Sequence, residues 1–166
     1  MTTRKVLAII FAALFLSALA AAQQPDTSTA FCTFEDGKEI SVRYQQLEFS
    51  KKTDPPVGRP WSPNGVPIFL FTPTELTLGN YTIPTGAYSL YTVKNRNDWT
   101  IIINKNVTQG SPYDDKQDLA RATMETTKLA TTNKPLAVTI GHISPKVCSL
   151  QVVFGDTGAW AEFKEK

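Results

Sequence analysis

Histidine occurs once in this 166-residue chain, and cysteine and methionine twice each. The single histidine, His142, with the two cysteines read below as bridged, argues against the usual zinc sites, which need three or four convergent His, Cys or carboxylate ligands. The two cysteines, Cys32 and Cys148, are too far apart in sequence to form a Cys-x-x-Cys redox or zinc motif. There is no Gly-x-Ser-x-Gly nucleophile elbow, no glycine-rich phosphate loop and no dinucleotide fingerprint. No window of about 11 residues carries helical periodicity. Neither sign of charge dominates. Of the 17 Lys and Arg against 15 Asp and Glu, Arg4 and Lys5 fall in the leader described next, so the remainder is balanced. A balanced chain without a basic stripe has no electrostatic footprint for nucleic acid or anionic membrane surfaces. These absences predict no cofactor, no metal and no nucleic-acid partner.

The N-terminus is informative. Arg4 and Lys5 precede the uncharged run Val6–Leu19, and Ala20-Ala21-Ala22 supplies small residues where a signal peptidase cuts. The run is shorter than the roughly 20 residues that cross a hydrocarbon core. Residues 1–22 therefore read as a cleaved secretory signal peptide, with no transmembrane anchor after cleavage. Residues 23–29 read as a polar, flexible leader and 30–166 as one domain, periplasmic or secreted. In an oxidising compartment the pair Cys32 and Cys148 reads as one disulfide rather than two buried thiols.

Within the domain, about nine short strand-like runs alternate with polar turns. This predicts an all-β fold, a two-layer antiparallel sandwich or, alternatively, a closed barrel. The first two runs flank Glu35-Asp36-Gly37. A three-residue loop with Gly37 left-handed would pair Cys32 with Ile40 and align Cys32, Phe34, Ile40 and Val42 on one face. In the run from Cys148, Leu150, Val152 and Phe154 share its parity, so both cysteines are expected to face inward. Five prolines between residues 50 and 67 exclude a central strand there.

Few residues offer chemistry. His142 shares parity with Val138 and Ile140, so it is either a hydrogen-bonded structural residue or a working side chain. Asp156-Thr157-Gly158-Ala159 matches the aspartic peptidase tetrapeptide, but too few residues follow it for the rest of such a subunit, and a hairpin turn is the better reading. Asp114, Asp115 and Asp118 do not match calcium-loop spacing and read as a solvated acidic loop. Trp61 lies beside Arg59 in the proline-rich stretch, and Trp160 shares parity with Glu162, which suggests an outward face. Exposed aromatics of this kind stack on sugars or anchor protein partners; the alternative is that Trp61 and Trp99 plug the edge of the core.

Several stretches carry a family resemblance. They are Gly58-Arg59-Pro60-Trp61, Ile83-Pro84-Thr85-Gly86-Ala87-Tyr88-Ser89-Leu90-Tyr91, Trp99-Thr100-Ile101-Ile102-Ile103-Asn104-Lys105, Tyr113-Asp114 and Asp118-Leu119-Ala120-Arg121. In their order and spacing, from about Cys32 to the end, the chain resembles domain of unknown function 2911, a family of exported bacterial proteins. The resemblance implies a β-rich envelope or secreted protein and no established activity. It also implies that the glycosylation sequons at Asn80 and Asn106 are silent. Many relatives carry Trp-Arg-Thr-Gly-Ala-Asn-Glu around the tryptophan, whereas Trp61-Ser62-Pro63-Asn64-Gly65-Val66-Pro67 lacks the arginine and the carboxylate.

With no catalytic set assigned, the sequence favours a non-catalytic domain that binds a glycan, an envelope component or a protein. Arg59, Trp61 and His142 are the candidate ligand-binding residues. A periplasmic hydrolase-like enzyme using His142 with nearby carboxylates is one alternative, and a structural envelope protein is another.

Overall fold

The structure is a computed structural model and describes residues 26–166. The proposed signal peptide and residues 23–25 of the leader lie outside the described residues. The chain is all-β, without α-helix among the described residues. Its strands are β1 (Thr27–Thr33), β2 (Glu39–Gln45), β3 (Pro60–Trp61), β4 (Ile68–Thr72), β5 (Leu76–Leu78), β6 (Tyr81–Ile83), β7 (Gly86–Lys94), β8 (Trp99–Asn104), β9 (Asp118–Lys128), β10 (Lys134–Ser144), β11 (Val147–Gly155) and β12 (Thr157–Glu165). They form one antiparallel sheet in the order β1-β2-β4-β7-β8-β9-β12-β11-β10, with β3 added to β7 and the β5–β6 hairpin added to β12. The end strands β1 and β10 lie against each other, so the sheet nearly closes into a barrel whose opposite walls face one another across the core. The arrangement thus stands between the two expected ones. β1 begins at Thr27, so Thr27–Thr29 are strand and not part of a loose leader.

The first hairpin follows the apolar pattern. Cys32 pairs with Ile40, the Phe34 amide donates to the Lys38 carbonyl at 2.8 Å, and Gly37 is left-handed at φ 87. A two-residue loop would have turned Cys32 and Phe34 onto the face of Glu39 and Ser41. With this register Cys32, Phe34, Ile40 and Val42 are all buried. Cys148 is also inward, as its parity requires, and the two cysteines form a disulfide with 6.2 Å between Cα atoms. The bridge crosses the β1/β10 seam. Two loop hydrogen bonds reinforce that seam, from the Glu35 amide to the Pro145 carbonyl and from the Leu136 amide to the Leu47 carbonyl.

Inward residues of every wall fill the barrel, among them Leu70, Leu90, Ile101, Ile103, Leu150 and Phe163. Each fully buried aliphatic or aromatic side chain contributes about 1.5–3 kcal/mol. Strands β7 and β8 are buried on both faces. Their outer face carries a second cluster, Tyr91, Val93 and Ile102, covered by Tyr113 from the segment between β8 and β9. That covering explains why Trp99–Asn104 reads as a nearly continuous apolar run rather than an alternating one. The proline-rich stretch contributes β3, whose Trp61 pairs with Thr92, a single bridge from Val57 to Lys94 and a 3-10 turn at Pro63–Gly65. The tetrapeptide Asp156-Thr157-Gly158-Ala159 begins at the β11–β12 turn and runs into β12, and the Thr157 hydroxyl donates to the Asp156 carboxylate.

Candidate functional site

Arg59, Trp61 and His142 are not brought together. Trp61 is half-buried, with its ring stacked on Phe154 at 5.3 Å between centroids, so it closes one end of the barrel. Arg59 is exposed beside it and forms no ion pair among the described residues. His142 pairs with Cys148, and Cys148 and Phe154 stand at opposite ends of β11, about 20 Å apart at the usual strand rise. His142 keeps the pairing register of Val138 and Ile140, so its parity is the one expected. The β10–β11 register shifts between His142 and Ser144, and His142 is exposed. It borders an open depression of about 420 Å³ with Thr139, Gly141, Ser149, Gln151 and Trp160, where no carboxylate completes a proton-relay set. Among the described residues no three His, Cys, Asp or Glu side chains cluster as a metal site would require.

A more developed cleft opens on the other side of Trp160. Strands β9 and β12 pair only from Thr157 with Lys128 to Trp160 with Glu125. Beyond Trp160 they part, and β12 continues instead with β5, pairing Lys164 with Thr77 and Glu165 with Leu76. The β5–β6 hairpin thus fills the gap and leaves a cleft of about 460 Å³ along the split. Its walls include Trp160, Tyr81, Glu125, Glu162, Thr123 and Asn80. The Trp160 indole N–H donates to a Glu125 carboxylate oxygen at 3.0 Å, which fixes the ring against the strand. Trp160 lies on the outer face that its shared parity with Glu162 implies, and Tyr81 is 43% exposed. The cleft therefore combines two aromatic rings with two carboxylates, an amide and a hydroxyl. A pocket of a few hundred Å³ lined in this way suits a small ligand.

The most connected polar group lies on the outer face of β7, β8 and β9. One Asp118 oxygen accepts from the Tyr113 hydroxyl at 2.6 Å and from the Arg121 guanidinium at 2.6 and 2.9 Å. The other accepts from the Asn104 amide at 2.8 Å. Asn104, itself buried, also donates to the Asp114 carbonyl and accepts from the Asn106 amide. Ser89 donates to the Asn106 carbonyl. Tyr113, held this way, packs edge-on against Tyr91 at 4.9 Å. The acidic segment is thus a clamp that binds its own loop over the second core, not a solvated run.

These residues are the ones that carried the resemblance, and the whole-chain comparison agrees. The sequence pattern of a family described as protein of unknown function (DUF2911) matches residues 27–163. The chain belongs to that family. No curated protein and no solved structure matches it. In this DUF2911 domain the Tyr91, Asn104, Tyr113, Asp118 and Arg121 positions from separate stretches meet in one place. The register shift between Ile103 and Asn104 is what allows it: Asp118 opposes Asn104 and Arg121 opposes Ile102, so both acidic and basic side chains point outward. A regular strand would set residues three apart on opposite faces, which is why spacing alone missed the pair.

The clamp has a pH signature. Burial, reinforced by the hydrogen bond to the Asp118 carboxylate, pushes the Tyr113 phenol well above the ordinary value near 10. Burial also raises Tyr91, with the Asp118 charge adding to it, and Tyr88. A raised folded-state value contributes stability that is complete below about pH 10 and is lost as the pH rises through the folded value. Absorbance titration at 295 nm is expected to show these phenols ionising late, together with alkaline unfolding, and Tyr113→Phe is expected to remove one late proton. A chain whose phenols all titrate near 10 while still folded would contradict the clamp.

Proposed function

We propose that this DUF2911 domain is an exported, non-catalytic binding protein whose ligand is a saccharide, held in the cleft where β9 and β12 part. The observation that carries the reading is Trp160, an outward indole fixed by Glu125 and flanked by Tyr81 and Glu162. The apolar C–H face of a sugar ring matches an aromatic face, and its hydroxyls donate to carboxylates and exchange hydrogen bonds with Asn80 and Thr123. Glu125 accepts the indole N–H and so serves to position rather than to transfer a proton. The depression on the far side of Trp160, with Thr139, Ser149 and Gln151, extends the same polar surface and would suit a chain of sugars better than one. Export outside the reducing cytosol is supported by the leader sequence and by the Cys32–Cys148 disulfide.

A glycan array followed by titration calorimetry tests the reading. The expected result is binding of at least one envelope oligosaccharide, with Trp160→Ala lowering affinity roughly thirtyfold, the size of a central aromatic contact. Trp61→Ala is expected to lower the melting temperature without changing that affinity, because Trp61 packs on Phe154 at the barrel end. Binding that is indifferent to Trp160→Ala, or no saccharide binding at all, would overturn the assignment.

A further inference from the structure

A second surface, separate from the Trp160 cleft, lies on the outer face of β1, β2, β4 and β7. Alternation along these strands places Phe31, Ser41, Phe71 and Ala87 in one row and Thr29, Arg43, Phe69 and Ser89 in the next. Of the six large apolar residues exposed among the described ones, Phe31 and Phe71 lie on this face, and Val107 overhangs it from the segment after β8. Exposed apolar groups gathered in this way mark an interaction site more often than a plain surface. Here Phe71 and Val107 border a groove of about 500 Å³, and Phe31 lies in the same row of the sheet face as Phe71.

Arg43 is the only charged residue bordering that groove, and it makes no ion pair among the described residues. Its guanidinium carbon lies 5.7 Å from the Phe69 ring centroid and 5.5 Å from that of Phe71. Stacking on aromatic faces holds the planar group in place while leaving its edge N–H groups open, and that edge matches a carboxylate with two parallel hydrogen bonds. A stacked cation with no ion-pair partner among the described residues, set in an aromatic groove, matches a ligand with one negative end and an apolar body.

We propose that this groove binds a carboxylate-headed amphiphile, with the carboxylate on Arg43 and the hydrocarbon along Phe71 toward Val107. The charge selects the headgroup, since a cationic head would be repelled and a neutral one would leave the guanidinium edge unmatched. The assignment stands independently of saccharide binding, because none of the residues bordering this groove borders the Trp160 cleft.

The test is titration calorimetry of the full mature chain with dodecanoate, dodecanol and dodecyltrimethylammonium, each below its micellar concentration. Dodecanoate is expected to bind at least tenfold more tightly than either of the others. Arg43→Gln is expected to remove that preference, and Arg43→Lys to keep part of it, because lysine supplies the charge without the planar fork. Phe71→Ser is expected to weaken dodecanoate and dodecanol alike. Arg43 and Phe71 are on the outer face, and unchanged melting temperatures confirm that the variants fold. Equal binding of the anionic and cationic chains, dodecanoate affinity unchanged in Arg43→Gln, or no binding of any of the three would overturn the proposal.

Discussion

Replacing both Cys32 and Cys148 by alanine is expected to lower the stability of the folded chain by about 4–5 kcal/mol, the chain-entropy value for closing a loop of this length. The bridge spans 116 residues, so breaking it releases nearly the whole described chain in the unfolded state. The folded state also depends on it locally. β1 and β10 close the barrel without forming a ladder, and apart from the disulfide the seam has a few loop hydrogen bonds and side-chain packing. Alanine is the cleaner substitution, because serine would bury two hydroxyls at positions that are 3% and 0% exposed. For a domain of this size the melting temperature is expected to fall by roughly 10–15 °C. Thermal unfolding followed by circular dichroism, with and without reductant, measures it. A fall of less than about 3 °C would mean that packing alone closes the seam.

Gly155→Ala is expected to cost about 3 kcal/mol through two effects that can be separated. Gly155 is left-handed at φ 65 in the β11–β12 turn, a conformation that costs a residue with a Cβ roughly 1–2 kcal/mol. The added Cβ would also lie 2.6 Å from Cε2 and 2.9 Å from Cδ2 of Phe49, so the ring must move. Overpacking of this kind costs typically 1–3 kcal/mol. Phe49 packs edge-on against Phe154 at 5.2 Å, and Phe154 carries Trp61, so displacing one ring disturbs the whole aromatic closure of that barrel end. Gly37→Ala is the control, because Gly37 has φ 87 but open space around its Cβ position. Denaturant unfolding of the two variants is expected to show the larger loss at Gly155. Equal losses would mean that Phe49 yields without cost.

The first hairpin and the disulfide could both be read from the sequence. The first hairpin was legible because a three-residue loop, unlike a two-residue one, puts Cys32, Phe34, Ile40 and Val42 on a common side. The disulfide was legible because Cys148 shares parity with Leu150, Val152 and Phe154. What escaped were departures from regular pairing. The shift at Asn104 turned Asp118 and Arg121 to the same side, and His142, though in register with Ile140, is the last regular β10–β11 pair and is exposed. Composition does not encode a bulge, and one inserted residue reverses every parity beyond it. Trp61 had two readings, and only the partner ring, Phe154, distinguishes them. The cleft beside Trp160 depends on Thr77 meeting Lys164, 87 positions later. No local pattern announces such a meeting, although the outward parity of Trp160 pointed to the right wall.

The crosslink has a consequence for how the molecule responds to proteases. The proline-rich stretch between β2 and β4 is the longest irregular segment within the span it closes, and much of it is exposed. A single cut there would sever the backbone without dividing the molecule, since both pieces remain tied through the sulfur atoms. On a denaturing gel the nicked protein would run as one species, and two fragments would appear only after a thiol is added.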